Sequence, residues 1–75
     1  MQKHFEIVPR HEAWDVRHNH VSFRMFRRKR EAIRVALTLG RMQLRLGDDV
    51  EIILLDADGA EQARRRLSAR RAHQF

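Results

Sequence analysis

Between Lys3 and Phe26 apolar and polar residues alternate in three short runs, and from Arg28 onward the apolar spacing lengthens to that of a helix. A period of two belongs to a strand with one buried face, and a period near 3.6 to an amphipathic helix. The change of period therefore divides a 75-residue chain into a small sheet and one helix laid against it. In the first run Phe5 and Ile7 oppose His4 and Glu6, and Pro9 ends the alternation. In the second, Trp14, Val16 and His18 oppose Asp15 and Arg17. After Asn19-His20, Val21, Phe23 and Met25 oppose Ser22, Arg24 and Phe26. A two-residue turn at Asn19-His20 would pair His18 with Val21, Val16 with Phe23 and Trp14 with Met25 on one face. The other face would then hold Asp15 opposite Arg24 and Arg17 opposite Ser22. Such cross-strand pairs contribute roughly 0.2–1 kcal/mol each.

From Arg28 to Leu46, Ile33, Ala36, Leu37, Gly40 and Leu44 share one flank of a helix, widened by Ala32, Val35, Leu39 and Met42. Arg27, Arg30, Arg34, Arg41 and Arg45, with Thr38 between them, form a polar stripe. Gly47 suits the C-terminal cap. Val50 to Leu55 is a β-branched and aliphatic run that predicts a buried fourth strand, and Asp56-Ala57-Asp58-Gly59 predicts a turn. Beyond it, residues 60–72 fit either a hairpin return, with Ala60 to Arg65 as a fifth strand, or a helix; both alternatives stay open. The expected fold is α+β: an antiparallel sheet of four to five strands in the order β-β-β-α-β, packed against one long helix. A single domain over residues 1–67 would be followed by a basic tail over 68–75. Phe5, Ile7, Trp14, Val16, Phe23, Ile33, Leu37, Ile52 and Leu54 are the expected core.

Composition narrows the function classes. The formal net charge is +6 and 14 of the 16 cations are arginine, a field that attracts polyanions. Arginine's planar fork matches phosphate oxygens better than lysine's point charge does. Arginine-rich composition also follows GC-rich coding, so charge alone leaves a solvated surface equally open. There is no cysteine, which excludes disulfides and thiolate chemistry. The longest aliphatic run, Ile52 to Leu55, is far too short to span a bilayer, and MQKHFEIVP has no apolar core of signal-peptide length. The expected location is cytoplasmic.

Val8-Pro9 at a strand end, Trp14 with Val16, a helix opening on Glu31-Ala32 and a strand closing on Asp58-Gly59 together resemble a small bacterial family catalogued only as domain of unknown function two-one-eight-eight. The likeness covers roughly Phe5 to Arg65. It implies a fold and carries no established activity. Two positions depart from the family pattern: Arg28 stands where a capping Thr is usual, and Glu61 stands where an aliphatic residue follows the Asp-Gly turn. The first half is also similar, more distantly, to the three-stranded sheet and helix of integrase and plant AP2-type DNA-binding domains, which lay an open sheet face in the major groove. That likeness is architectural, and fold alone does not carry function.

The hydroxyls are Ser22, Ser68 and Thr38, and none has a base and orienter at a recognisable spacing, so no catalytic residues are assigned and no enzyme is expected. No cofactor is expected either. His18 and His20 flank a turn that His4 and His11 could approach, yet nothing in the spacing makes them converge, and no metal site is assigned. The Asp56 to Gly59 segment lacks the glycine and glutamate positions of a calcium loop. Trp14 reads as core. Phe26 falls with Arg17 and Arg24 on the open sheet face, as a base-stacking partner, a dimer contact or a helix staple.

Four cations, Arg27, Arg28, Lys29 and Arg30, crowd a helix start, where the free N–H groups and the dipole already favour an anion. The candidate nucleic-acid-binding residues are accordingly Arg17, Arg24, Phe26, Arg27, Arg28, Lys29, Arg30, Arg34, Arg64, Arg65 and Arg66. Their expected partner is the phosphate backbone of DNA or RNA. Asp48, Asp49, Asp56 and Asp58 are expected at the opposite end of the helix, giving the molecule two poles. The alternative function is a protein–protein interaction module, a homodimer packed through Val8, Phe26, Ile53 and Leu55 on the open sheet face.

Overall fold

Strands β1 (Gln2–Arg10), β2 (Ala13–His18) and β3 (Val21–Phe26) precede helix α1 (Lys29–Arg45), and β4 (Asp49–Leu55) and β5 (Glu61–Leu67) follow it. The computed structural model describes residues 2–69 and arranges the strands as one sheet in the order β3-β2-β1-β4-β5. Three pairings are antiparallel, but β1 and β4 lie parallel, so the sheet is mixed where an antiparallel one was expected. The cause is the helix. A crossover of this length carries the chain back to the end of the sheet where β1 begins, and a strand starting there runs parallel to β1. Among the described residues no helix is long and apolar enough to cross a membrane.

The β2–β3 hairpin departs from the expected register. Its turn forms at Asn19 and His20, both with positive φ (51° and 69°), and His18 and Arg17 pair with Val21 and Ser22 as expected. A bulge between Val16 and Arg17 then moves β3 by one residue. Val16 faces Arg24, Asp15 faces Met25 and Trp14 faces Phe26. One extra residue reverses which side chains reach the core. Phe26 now packs on the core beside Trp14, and Phe23, an expected core residue, is 57% exposed. The shifted strand also brings Ser22 Oγ within 2.7 Å of Asp15 Oδ1, a hydrogen bond to a carboxylate that is otherwise 1% exposed.

The core consists of Phe5, Ile7, Val16, Ala32, Ala36, Val50 and Ile52, with Trp14, Phe26, Ile33, Leu37 and Leu54 among the half-buried side chains packed on it. Small residues line the buried edge of α1 at Ala32, Ala36 and Gly40. A Cβ at Gly40 would stand 3.1 Å from Val50 Cγ1 and 3.3 Å from Ile52 Cδ1, so glycine is what lets the helix approach β4. Leu46 caps the helix, and Gly47 follows it with φ of 92°.

The alternatives after Gly59 resolve as a strand, Glu61–Leu67, in place of a helix. Asp56 Oδ1 accepts hydrogen bonds from the N–H groups of Asp58 and Ala60, each 2.9 Å, and Gly59 takes φ of 84°. That turn chemistry, together with pairing along β4, outweighs the helical propensity of Ala, Gln and Arg. The packed domain continues past residue 67. Ala69 is buried, and its N–H donates to Asp49 Oδ1 at 3.0 Å. The rest of the expected basic tail, from residue 70, lies outside the described residues.

The expected two-pole charge arrangement does not form. β3 and β4 both run parallel to β1, so the helix start after β3 and the Asp56–Gly59 turn after β4 lie at the same end of the sheet. Only Asp48 and Asp49 stand at the far end, beside the helix C-terminus.

Candidate nucleic-acid interface

Helix α1 covers one face of the sheet, and the ladder pairings place the candidate cations on different sides. His4, Glu6 and Val8 of β1, Asp15 and Arg17 of β2, Glu51, Ile53 and Leu55 of β4, and Arg64 and Arg66 of β5 occupy the bare face. There Arg64 Nη1 lies 2.7 Å from Glu51 Oε1, and Arg66 Nε lies 2.9 Å from Glu51 Oε2. Arg10 approaches Asp15 at 3.8 Å, and Arg17 Nη2 donates to the His20 carbonyl at 2.7 Å. The acids are the inner members: Asp15 and Glu51 are buried, and the cations close over them. Arg64 also holds Glu61 at 2.7 Å. That hydrogen bond keeps the Glu61 carboxyl below its ordinary range and raises Arg64 further. The small stabilisation from Glu61 is accordingly present above the ordinary carboxyl value and disappears as pH falls through the lowered one.

Arg17, Arg64 and Arg66 are therefore occupied within the fold, and the bare face is acid-centred. It is no open phosphate platform. Nor is it the apolar dimer surface expected from Val8, Phe26, Ile53 and Leu55, because Ile53 is 4% exposed and the bulge has carried Phe26 and Arg24 to the helix side.

The helix start is built differently. β3 delivers Phe26 into the core, and the chain turns out through Arg27 to Arg28. Arg28 is the N-cap, with φ of −116° and ψ of 134°, and its side chain makes no capping hydrogen bond. Its carbonyl accepts from the N–H groups of Glu31 and Ala32 at 3.1 and 3.2 Å, the ordinary first bonds of a helix. Two neighbouring cations rest on rings, with Arg24 Cζ 5.4 Å from the Phe26 centroid and Lys29 Nζ 5.6 Å from that of Trp14. Arg27, Arg28, Arg30 and Arg34 are exposed, and among the described residues they have no acidic partner. Glu31 is the lone acid in the first turn. Further along the same outer side stand Arg41 and Arg45, also exposed. At 1.5 Å per residue the stripe from Arg30 to Arg45 is about 22 Å long. Arg65 is exposed on β5, at the opposite edge of the sheet from β3, away from this group.

Among the described residues the histidines do not gather in one place. His4 and His20 have ring centroids 5.4 Å apart on the bare face, whereas His18 stacks on Phe5 at 4.6 Å on the helix face. His11 lies in the β1–β2 turn with φ of 53°. Among the described residues no three His, Asp or Glu side chains gather as a metal site. Two hydroxyls are accounted for by the fold: Ser22 donates to Asp15, and Thr38 Oγ1 donates to the Arg34 carbonyl at 3.0 Å.

Comparison with protein-family profiles, with curated proteins and with solved structures finds no match to this chain.

Proposed function

We propose that this protein is a non-enzymatic nucleic-acid-binding module that grips phosphate backbone with the start and outer side of α1. One observation carries the reading: the chain pairs Arg10, Arg64 and Arg66 with acids but leaves Arg27, Arg28, Arg30 and Arg34 unpaired on an uncapped helix start. Free N–H groups and the helix dipole make that site positive before any side chain is counted. Like charges three and four residues apart, such as Arg27 with Arg30 and Arg30 with Arg34, each cost a few tenths of a kcal/mol when no anion is present. A phosphate reverses the sign of every one of these terms.

The ligand is a polymer on grounds of length. A free phosphate would engage one helical turn. A stripe of about 22 Å faces about six phosphates of one strand at roughly 3.4 Å each. Contacts go to the backbone with little base preference, since no Asn or Gln stands within the cluster to read adenine.

Replacing Arg28 with Thr separates the two properties of the site. Thr is the residue that the resembling family carries there, and it can cap the free N–H groups. Thermal unfolding should show Arg28→Thr to be more stable by about 0.5–2 kcal/mol. Fluorescence anisotropy should show weaker binding to a labelled oligonucleotide, with a salt slope smaller by roughly one unit. Higher stability with unchanged affinity would contradict a phosphate at the helix start.

A further inference from the structure

We propose that β3 pairs edge to edge with β3 of a second copy, joining two five-stranded sheets into one. The strand order leaves β3 and β5 as the two edges, each with a row of backbone N–H and C=O groups free of a ladder partner. The edges are not alike. β5 carries Arg64, Arg65 and Arg66 in succession, the charged guard that keeps an edge from pairing. β3 reads VSFRMF, and its Val21, Phe23 and Met25 are 69%, 57% and 49% exposed. The only large apolar side chains of comparable exposure elsewhere in the described residues are Met42 on the helix and Leu46 at its C-cap, so the exposed apolar surface concentrates on this one strand.

An edge strand accepts an extended strand, and the chemistry of the two edges selects which. Pairing β3 with β5 of another copy would repeat without closing and would set the apolar edge against arginines. Pairing β3 with β3 about a two-fold axis closes at two copies. With the axis at Arg24, Phe23 of one copy meets Met25 of the partner subunit on each side of it, an apolar cross-strand pair made twice. The two Arg24 side chains then stand opposite each other. Each lies over its own Phe26 ring at 5.4 Å, directed along its own strand and not across the junction. A domain of this size, with a thin core, gains most from such added burial. The junction also has a functional consequence: α1 begins directly after β3, so antiparallel pairing sets the two Arg27–Arg30 clusters at opposite ends of the joined strands, about 20 Å apart.

The pairing does not depend on the nucleic-acid reading, and its test contains no nucleic acid. Sedimentation velocity of the full chain over a micromolar concentration series, at moderate salt, should show a monomer–dimer equilibrium. Phe23→Lys and Met25→Lys should abolish the dimer while leaving circular dichroism close to wild type, and Tm likewise at concentrations where the wild type is monomeric, because both side chains are exposed. Leu55→Lys, on the bare face, should leave the dimer intact. Since the chain has no cysteine, Arg24→Cys should form a disulfide-linked dimer on oxidation. A wild-type chain that stays monomeric throughout would overturn the proposal, as would a dimer that survives both β3 lysines and yields only to Leu55→Lys.

Discussion

Changing Arg27, Arg28, Arg30 and Arg34 together to Gln should lower affinity for a short DNA duplex on the order of 10³-fold at 0.1 M salt. Each phosphate neutralised by a cation releases condensed counterion and contributes about 0.9 to the slope of log K against log salt. Four fewer contacts remove about 3.6 units of slope, and one decade of salt below a 1 M reference converts this to the stated loss. The fold should survive, because all four side chains are exposed and among the described residues none makes an ion pair. Their removal also relieves like-charge repulsion at the positive helix end, so Tm should hold or rise slightly. Arg17→Gln is the informative companion. Arg17 adds the same formal charge but is spent on the His20 carbonyl on the other face, so its loss should change affinity far less. If Arg17→Gln lost as much as a quarter of the quadruple variant's change in log K, its share by charge, net charge would act and the helix start would not.

Replacing Phe5 with Ala should cost about 3–5 kcal/mol, the usual penalty for deleting a buried phenyl ring. Phe5 is 1% exposed at the centre of the sheet, between His18 of β2 and Ile52 of β4, and its ring stacks on His18 at 4.6 Å. Domains are stable by roughly 0.05–0.15 kcal/mol per residue, or about 4–11 kcal/mol for this chain, so the substitution should remove much of the total. Urea unfolding measures it directly. Phe23→Ala is the contrast, expected to cost less than about 1 kcal/mol at monomer concentrations because that ring already faces solvent. If the two phenylalanines exchanged ranks, the bulged register of β3 would be wrong.

These two phenylalanines also show what can be read from the chain alone. Phe5, Ile7 and Val16 follow from alternation and Ile52 from the continuous aliphatic run of β4, and all four are buried, because β1, β2 and β4 are regular strands whose period is undisturbed. Phe23 and Phe26 exchange roles because a bulge breaks the period, and no residue type in VSFRMF announces one. The helix and its exposed arginine stripe were legible from spacing, but its most buried line is Ala32, Ala36 and Gly40, where Ile33 and Leu37 were expected. The parallel β1–β4 pairing was open to inference from connection length, since a strand reached through a helix commonly returns parallel. The division of the arginines was not legible. Whether an arginine is free or spent depends on Glu51 facing Arg66 across a ladder and Asp15 lying beneath Arg10, relations that exist only once the strands are in register.

The central claim is that unpaired cations at one helix start bind a phosphate backbone, and a salt titration of the wild-type chain tests it most directly. Binding to duplex DNA, single-stranded DNA and RNA of random sequence is followed by anisotropy from low to physiological salt. With the six exposed cations Arg27, Arg28, Arg30, Arg34, Arg41 and Arg45 engaged, log K should fall linearly with log salt at a slope near −5 for a duplex, with little dependence on sequence. A chain that ignores all three polymers at moderate salt, or binds with a slope near zero, would contradict the account.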